Sequence, residues 1–269
     1  MWNSTFLSMI HQGLPSTGQA FFYCRTSTIT RSQQYYKMIR IAVQAKGRLN
    51  EESMALLKDS GIKIEESKRK LLSKSWNYPI EVLYLRDDDI PQAVSNGIAD
   101  LGIVGLNEVE EKGCNVNILY ELGFGKCRLS LAVPKSEPYT DLKYFNNKKI
   151  ATSYPRILER FFKKEGINCT IEEIAGSVEI APSIGMTDAI FDIVSSGGTL
   201  VSNGLSEVEK VMDSQAVLIS SPNIETEKEK IIRQLIFRFE SILRSRGKKY
   251  ILVNTYVTPP DIKILYFRY

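Results

Sequence analysis

Short, almost wholly apolar runs alternate with helix signals along most of this chain, and that alternation restricts the fold more than any other feature. Ile39-Arg-Ile-Ala-Val43, Ile80-Glu-Val-Leu-Tyr-Leu85 and Leu101-Gly-Ile-Val104 read as strands. After the first of them, Asn50 suits an N-cap, Glu51 and Glu52 suit a first helical turn, and Gly61 suits a stop. Residues 89–96 read as a short helix closed by Gly97, with Pro91 tolerated in the first turn. Strands apolar on both faces belong inside a sheet covered on both sides. The alternation therefore predicts an α/β fold with mainly parallel strands.

The pattern continues downstream. Leu129-Ser-Leu-Ala-Val133, Lys149-Ile-Ala-Thr152, residues 170–174, residues 189–194 and Ala216-Val-Leu-Ile219 add strands. A helix runs from about Arg156 to Lys164 and stops at Gly166; it is basic at both ends and reads as mostly solvated surface. A long helix over residues 225–246 carries Ile231, Ile232, Leu235, Ile236, Phe239, Ile242 and Leu243 at spacings of three and four. Tyr250-Ile-Leu-Val-Asn254 begins another strand, fifteen residues before the end of the chain.

One segment carries chemistry most clearly. In Asp188-Ala-Ile-Phe-Asp-Ile-Val-Ser-Ser-Gly-Gly-Thr-Leu200, an apolar strand delivers Asp192 near its end. The small-residue loop Ser195-Ser-Gly-Gly-Thr199 follows. Backbone amides of such a loop can converge on a phosphate, with the hydroxyls of Ser195, Ser196 and Thr199 as further donors. Gly197 and Gly198 allow close backbone approach. The carboxylate of Asp192 suits ribose hydroxyls. A polar turn after a buried strand is the plainer reading of the same residues.

Basic residues recur at strand ends. Lys46-Gly47-Arg48 follows the first strand, where α/β sheets bind anions, and Arg48 can grip a phosphate with two hydrogen bonds. A solvated basic turn is the alternative. Arg86 heads the run Asp87-Asp-Asp89, which suits helix capping better than a metal. Gly102 and Gly105 mark places where a backbone passes close to a ligand or a neighbouring element. Arg128 follows Gly123-Phe-Gly125 and adds another cation before a strand. Glu179 sits among apolar residues and needs a partner.

Composition removes several classes of function. The single histidine, His11, lies in an atypical N-terminal stretch, so the body can build neither a Ser-His-Asp triad nor a histidine metal site. Cys24, Cys114, Cys127 and Cys169 form no CxxC pair, which leaves reduced, cytoplasmic thiols as the expectation. The 35 basic and 31 acidic residues nearly balance at +4, which argues against nucleic acid as a partner. No apolar run reaches membrane length. Residues 1–37 lack Asp and Glu and read as an extension, either a mis-called translation start ahead of Met38 or a transit segment.

Six motifs in order together resemble ATP phosphoribosyltransferase in its long form. They are residues 38–49, 85–91, 100–105, 127–134, 150–155 and 188–200. The resemblance covers residues 38–254. It implies two α/β lobes of the periplasmic-binding-protein type II kind, with the active site in the cleft. It implies lobes at 38–128 plus 220–247 and at 129–219, with residues 248–269 a remnant of a C-terminal regulatory domain. The implied reaction moves phosphoribose from phosphoribosyl pyrophosphate to N1 of ATP, the first step of histidine biosynthesis. Mg²⁺ is implied as cargo of the substrate, with no protein-only metal site.

By motif, the resemblance assigns Asp192, Ser195, Ser196, Gly197, Gly198 and Thr199 to the ribose 5-phosphate. Asp188 and Glu179 fall near the ribose or its metal, and Asp192, Asp188 and Glu179 form the catalytic set. Lys46, Gly47, Arg48, Arg86, Arg128 and Tyr154 line the ATP and pyrophosphate side. A homo-oligomer is implied, at least a dimer; the short C-terminus puts a hexamer and feedback inhibition by histidine in doubt. The competing expectations are a solute-binding protein of the same two-lobed fold and a truncated enzyme that binds without normal turnover.

Overall fold

The computed structural model describes residues 38–65, 71–246 and Lys248. The extension at 1–37 and the strand expected at 250–254 lie outside them. The chain starts with β1 (Ile39–Gln44), α1 (Arg48–Asp59), β2 (Leu72–Lys74) and β3 (Ile80–Leu85). It continues with α2 (Ile90–Ser95), β4 (Leu101–Gly105), α3 (Leu106–Lys112) and β5 (Asn117–Glu121). It then crosses to β6 (Cys127–Pro134), β7 (Lys149–Thr152), α4 (Pro155–Glu165), β8 (Thr170–Glu173), β9 (Ala189–Val194), α5 (Gly198–Ser202) and β10 (Leu205–Ser214). It returns through β11 (Ala216–Ser220) and ends, among the described residues, in α6 (Thr226–Ser245).

Two sheets result. One is ordered β2-β3-β1-β4-β11-β5 and the other β10-β6-β9-β7-β8. β1 is parallel to β3 and β4, and β7 is parallel to β8 and β9. The remaining pairings are antiparallel. The expectation of mainly parallel strands is thus corrected to mixed sheets. The physical reason is the crossing: β6 and β11 enter each lobe from the neighbouring one and run against its parallel core. The lobe boundary shifts for the same reason. β11 joins the first sheet, so residues 216–219 leave the second lobe, which begins at Cys127 rather than at 129.

Each sheet is covered on both faces, which is why its central strands are mostly apolar. Ile39, Ile41 and Val43 of β1 pack with Leu56 and Leu57 of α1 and with Leu235 and Phe239 of α6. On the opposite face Ala42, Val104 and Ile219 meet Ile90 and Val94 of α2. In the second lobe Leu129, Leu131 and Phe191 pack under Ile157, Leu158 and Phe162 of α4. Each such fully buried side chain stabilises the fold by about 1.5–3 kcal/mol. The expected stripe on α6 holds: Ile231, Ile232, Leu235 and Phe239 are buried, and Ile236, Ile242 and Leu243 are partly so. Among the described residues no helix is long and apolar enough to cross a membrane.

Helix α1 begins earlier than its capping signals suggest. Gly47, with φ at +96°, takes the N-cap position. Asn50 instead donates its side-chain amide to the Gln44 carbonyl at 2.6 Å and closes the preceding turn.

Candidate active site

The lobes are joined by two strands side by side. Ser214 pairs with Cys127, and Ala216 exchanges backbone hydrogen bonds of 2.9 Å with Leu122 and Phe124. A cleft of ≈ 190 Å³ opens beside this hinge. Gln44, Arg48, Asp87, Asn107 and Glu108 line it from the first lobe, and Ile193 and Ser195 from the second. These residues lie at or just beyond the carboxyl ends of β1, β3, β4 and β9. Ligands of α/β sheets bind at such ends.

On the first lobe, Lys46 is exposed and the Arg48 side chain is 73% exposed, touching Glu52 at 3.3 Å. Arg86 is equally open and pairs with Asp88 at 3.1 Å. Such exposed pairs are weak, so both guanidinium groups can turn to an anionic ligand. The acids at 87–89 form a 3₁₀ turn; Asp87 accepts from the Gln44 amide at 3.1 Å, and Asp89 makes no side-chain cap bond to α2.

On the second lobe, Gly197 adopts φ +80°, a left-handed conformation that places Gly198 at the start of α5. Ser195, Ser196, Gly198 and Thr199 are exposed. Asp192 is half-buried just before them. Desolvation pushes its carboxyl up to about 6, against the stabilising N–H of Ile193 at 2.8 Å and with a push from nearby Glu179. Glu179 sits half-buried on a 3₁₀ turn, so Glu179 and Asp192 share one neighbourhood.

Three expected residues behave differently. Asp188 stands at the amino end of β9, six residues before Val194, so about 20 Å of strand separates it from the loop. Its carboxylate accepts the Lys149 N–H at 2.8 Å and pairs with Lys148, which ties β9 to β7. The resemblance implied a place near the ribose or its metal, but a strand is too long for both of its ends to reach one ligand. Arg128 is engaged bidentately by Glu207 through its Nε–Nη2 edge, so that edge is committed to the protein rather than to a phosphate. Its third nitrogen donates to the Ser195 carbonyl at 3.3 Å, so it steadies the loop. Tyr154 is buried, and its hydroxyl donates to Glu108 at 2.9 Å.

Sequence reasoning missed Asn107 and Glu108. The only signal was an amide and an acid directly after the glycine that ends β4. Asn107 exchanges hydrogen bonds with Ser214 and donates to Glu108 at 2.9 Å. Burial raises the Glu108 carboxyl from its ordinary 4.5 to about 7; Asp87 and Asp88 add to the rise, while the Tyr154 hydroxyl and Lys112 oppose it. A raised folded-state value means the native protein holds this proton longer than the unfolded chain. The associated stability is complete below about pH 4.5 and is lost as pH rises through about 7. Glu108→Gln should therefore flatten the fall of Tm between pH 5 and 8. At pH 8 it should raise Tm by several degrees, on the order of 2 kcal/mol. An unchanged slope in thermal melts refutes the assignment.

Comparison with known proteins agrees with this geometry. The sequence model of the family described as ATP phosphoribosyltransferase matches residues 86–241. A Bacteroides thetaiotaomicron protein named ATP phosphoribosyltransferase is 60% identical over 217 residues, covering 81% of this chain and 77% of its own. A namesake from Bacteroides fragilis is 58% identical over the same shares. Among solved structures, a chain of the ATP phosphoribosyl transferase (HisG:HisZ) complex from Thermotoga maritima matches with TM-score 0.67 and 28% identity. That match covers 77% of this chain and 99% of the other. The substrate binding protein of an amino acid ABC transporter matches at TM-score 0.53 and 13% identity, over 77% of this chain and 94% of its own. That last likeness speaks for the two-lobed periplasmic-binding-protein fold alone. Family match, identity and cleft coincide, and the chain belongs to the ATP phosphoribosyltransferase family, whose reaction begins histidine biosynthesis.

Proposed function

We propose that this chain transfers phosphoribose from phosphoribosyl pyrophosphate to N1 of ATP in the cleft, with one substrate half held by each lobe. The observation that carries the reading is one cleft lined from both lobes: Arg48, from the basic loop at 46–48, and Ser195, at the head of the small-residue loop at 195–199, both line it. In this reading the amides and hydroxyls of Ser195, Ser196, Gly197, Gly198 and Thr199 take the 5-phosphate, and Asp192 with Glu179 takes the ribose hydroxyls. Lys46, Arg48 and Arg86 neutralise ATP and the departing pyrophosphate. The C1–oxygen bond breaks as adenine N1 bonds to C1, and the electron pair leaves on pyrophosphate. Alignment and charge stabilisation then carry the rate, and no histidine is needed.

Mg²⁺ enters this reading as cargo of phosphoribosyl pyrophosphate. In this reading the neighbouring Asp192 and Glu179 support it from the protein side. A cytoplasmic location and a homo-oligomeric assembly complete the proposal; gel filtration with and without histidine tests the assembly and its response to histidine.

Purified protein given ATP, phosphoribosyl pyrophosphate and Mg²⁺ should form a product with altered near-ultraviolet absorbance, and added pyrophosphate should reverse it. Ligand binding without product at high enzyme concentration refutes this reading in favour of a binding protein or an inactive relative.

A further inference from the structure

The first turn of α4 is capped from the other lobe. Pro155 opens the helix, and Tyr154 at its N-cap makes no side-chain cap. Instead Glu111, buried on α3, accepts the backbone N–H of Arg156 on one oxygen and of Ile157 on the other, each at 3.0 Å. Two charge-assisted bonds at a helix N-terminus make a firm joint. Glu108 lies three residues earlier on the same helix face and accepts the Tyr154 hydroxyl. At the rim, Arg160 donates to the Glu110 carbonyl at 3.0 Å and carboxylate at 3.1 Å, and Arg156 donates to the Lys112 carbonyl at 2.9 Å. Helix α4, expected to be solvated surface, is therefore clasped to α3 along its first two turns.

This clasp joins the two substrate halves. Helix α3 follows β4, whose carboxyl end brings Asn107 and Glu108 to the cleft. Helix α4 follows β7, which is paired in parallel with β9, the strand that carries Asp192 and leads into the loop. The covalent links between the lobes are the two hinge strands, an arrangement that permits rotation. We propose that Glu111 is a positioning residue for the transfer, its double cap on α4 setting the interlobe angle and so the distance between adenine N1 and the ribose. The proposal rests on the functional reading above. Each half-site lies within its own lobe, so loosening the clasp should disturb alignment more than binding.

The test uses the full chain. Glu111→Ala should lower kcat about tenfold or more, since misplacement of about 1 Å can cost a hundredfold. Dissociation constants of ATP and of phosphoribosyl pyrophosphate, measured separately by calorimetry, should stay within about threefold. Glu111→Gln keeps one acceptor and should fall between. An unchanged kcat overturns the proposal, and so does a loss that merely follows weakened binding of one substrate. Should Glu111→Ala not fold, Arg160→Ala removes only the exposed rim. It should lower kcat about two- to threefold at unchanged affinity, and unchanged kcat there overturns the proposal too. If the wild-type protein makes no product, the functional reading falls. X-ray scattering then judges the clasp by itself: Glu111→Ala should scatter as a more open particle, and an unchanged curve overturns it.

Discussion

Asp192→Asn is expected to lower kcat about a hundredfold and at the same time to make the folded protein more stable. Both effects come from one cause. Strand β9 carries this carboxylate to the cleft edge, opposite Ser130 of β6, and no ion pair among the described residues answers it. Burial and the nearby Glu179 lift its carboxyl to about 6. Asp192 is thus a partly dehydrated charge, which in the proposed reading is answered by ligand hydroxyls. A hydrogen bond to a charged group contributes about 1.5–3 kcal/mol, which is roughly one to two decades in rate. The sign on stability follows from the same shift. A carboxyl raised from 3.8 to about 6 contributes fully below pH 3.8, and that contribution is lost as pH rises through about 6. At pH 8 the ionised group is therefore a cost, on the order of 2 kcal/mol, that the amide avoids. Steady-state kinetics and thermal melts at pH 8 read both effects. Wild-type turnover removes Asp192 from the site; a fall in Tm gives it a structural role instead.

The fold was legible where burial forces one kind of side chain. β1, β3, β7 and β9 are covered on both faces, so most of their residues had little choice but to be apolar. β10 was invisible because Leu205-Ser-Glu-Val-Glu-Lys-Val-Met-Asp-Ser214 lies at a sheet edge, and two register shifts against β6 break its alternation. β5 is likewise an edge strand, largely exposed. The site shows the same division. Loops 46–48 and 195–199 announced themselves through glycine and polar residues that a core would not tolerate. Glu108 and Glu111 did not, because each acts through a partner far along the chain, Tyr154 and the α4 amides; Arg128 stood out as a cation, but its partner Glu207 did not. An acid in a short helix looks the same on paper whether it faces water or a neighbouring lobe. Asp188 erred in the opposite direction, since nearness in sequence along a strand is distance in space.

Gly102→Val should destabilise the protein by about 3 kcal/mol or more, enough to leave little folded material at 37 °C. The sequence left two readings open for the glycines of Leu101-Gly-Ile-Val-Gly105: approach to a ligand, or approach to a neighbouring element. At Gly102 the neighbour is the answer. A Cβ there would meet Ile90 Cγ2 at 2.8 Å, Val94 Cγ2 at 2.9 Å and Ile219 Cγ1 at 3.1 Å. Ile90 and Val94 project from α2 and are fully buried. β-Branched side chains on a helix have essentially one χ1 rotamer, so neither methyl can swing away. Helix α2 would have to lift off β4, opening the core that Ala42, Val104 and Ile219 share with it. Valine adds two further methyls to a contact already too short for one. Even Gly102→Ala should cost about 1–2 kcal/mol, because the first added carbon makes the clash. Denaturant unfolding of the alanine variant and the soluble yield of the valine variant measure this. Gly105 behaves differently: the atoms nearest to a Cβ there all belong to the amide of Asn107, a cleft residue. Gly105→Ala should therefore disturb catalysis before stability, and equal stability losses at the two positions refute the distinction.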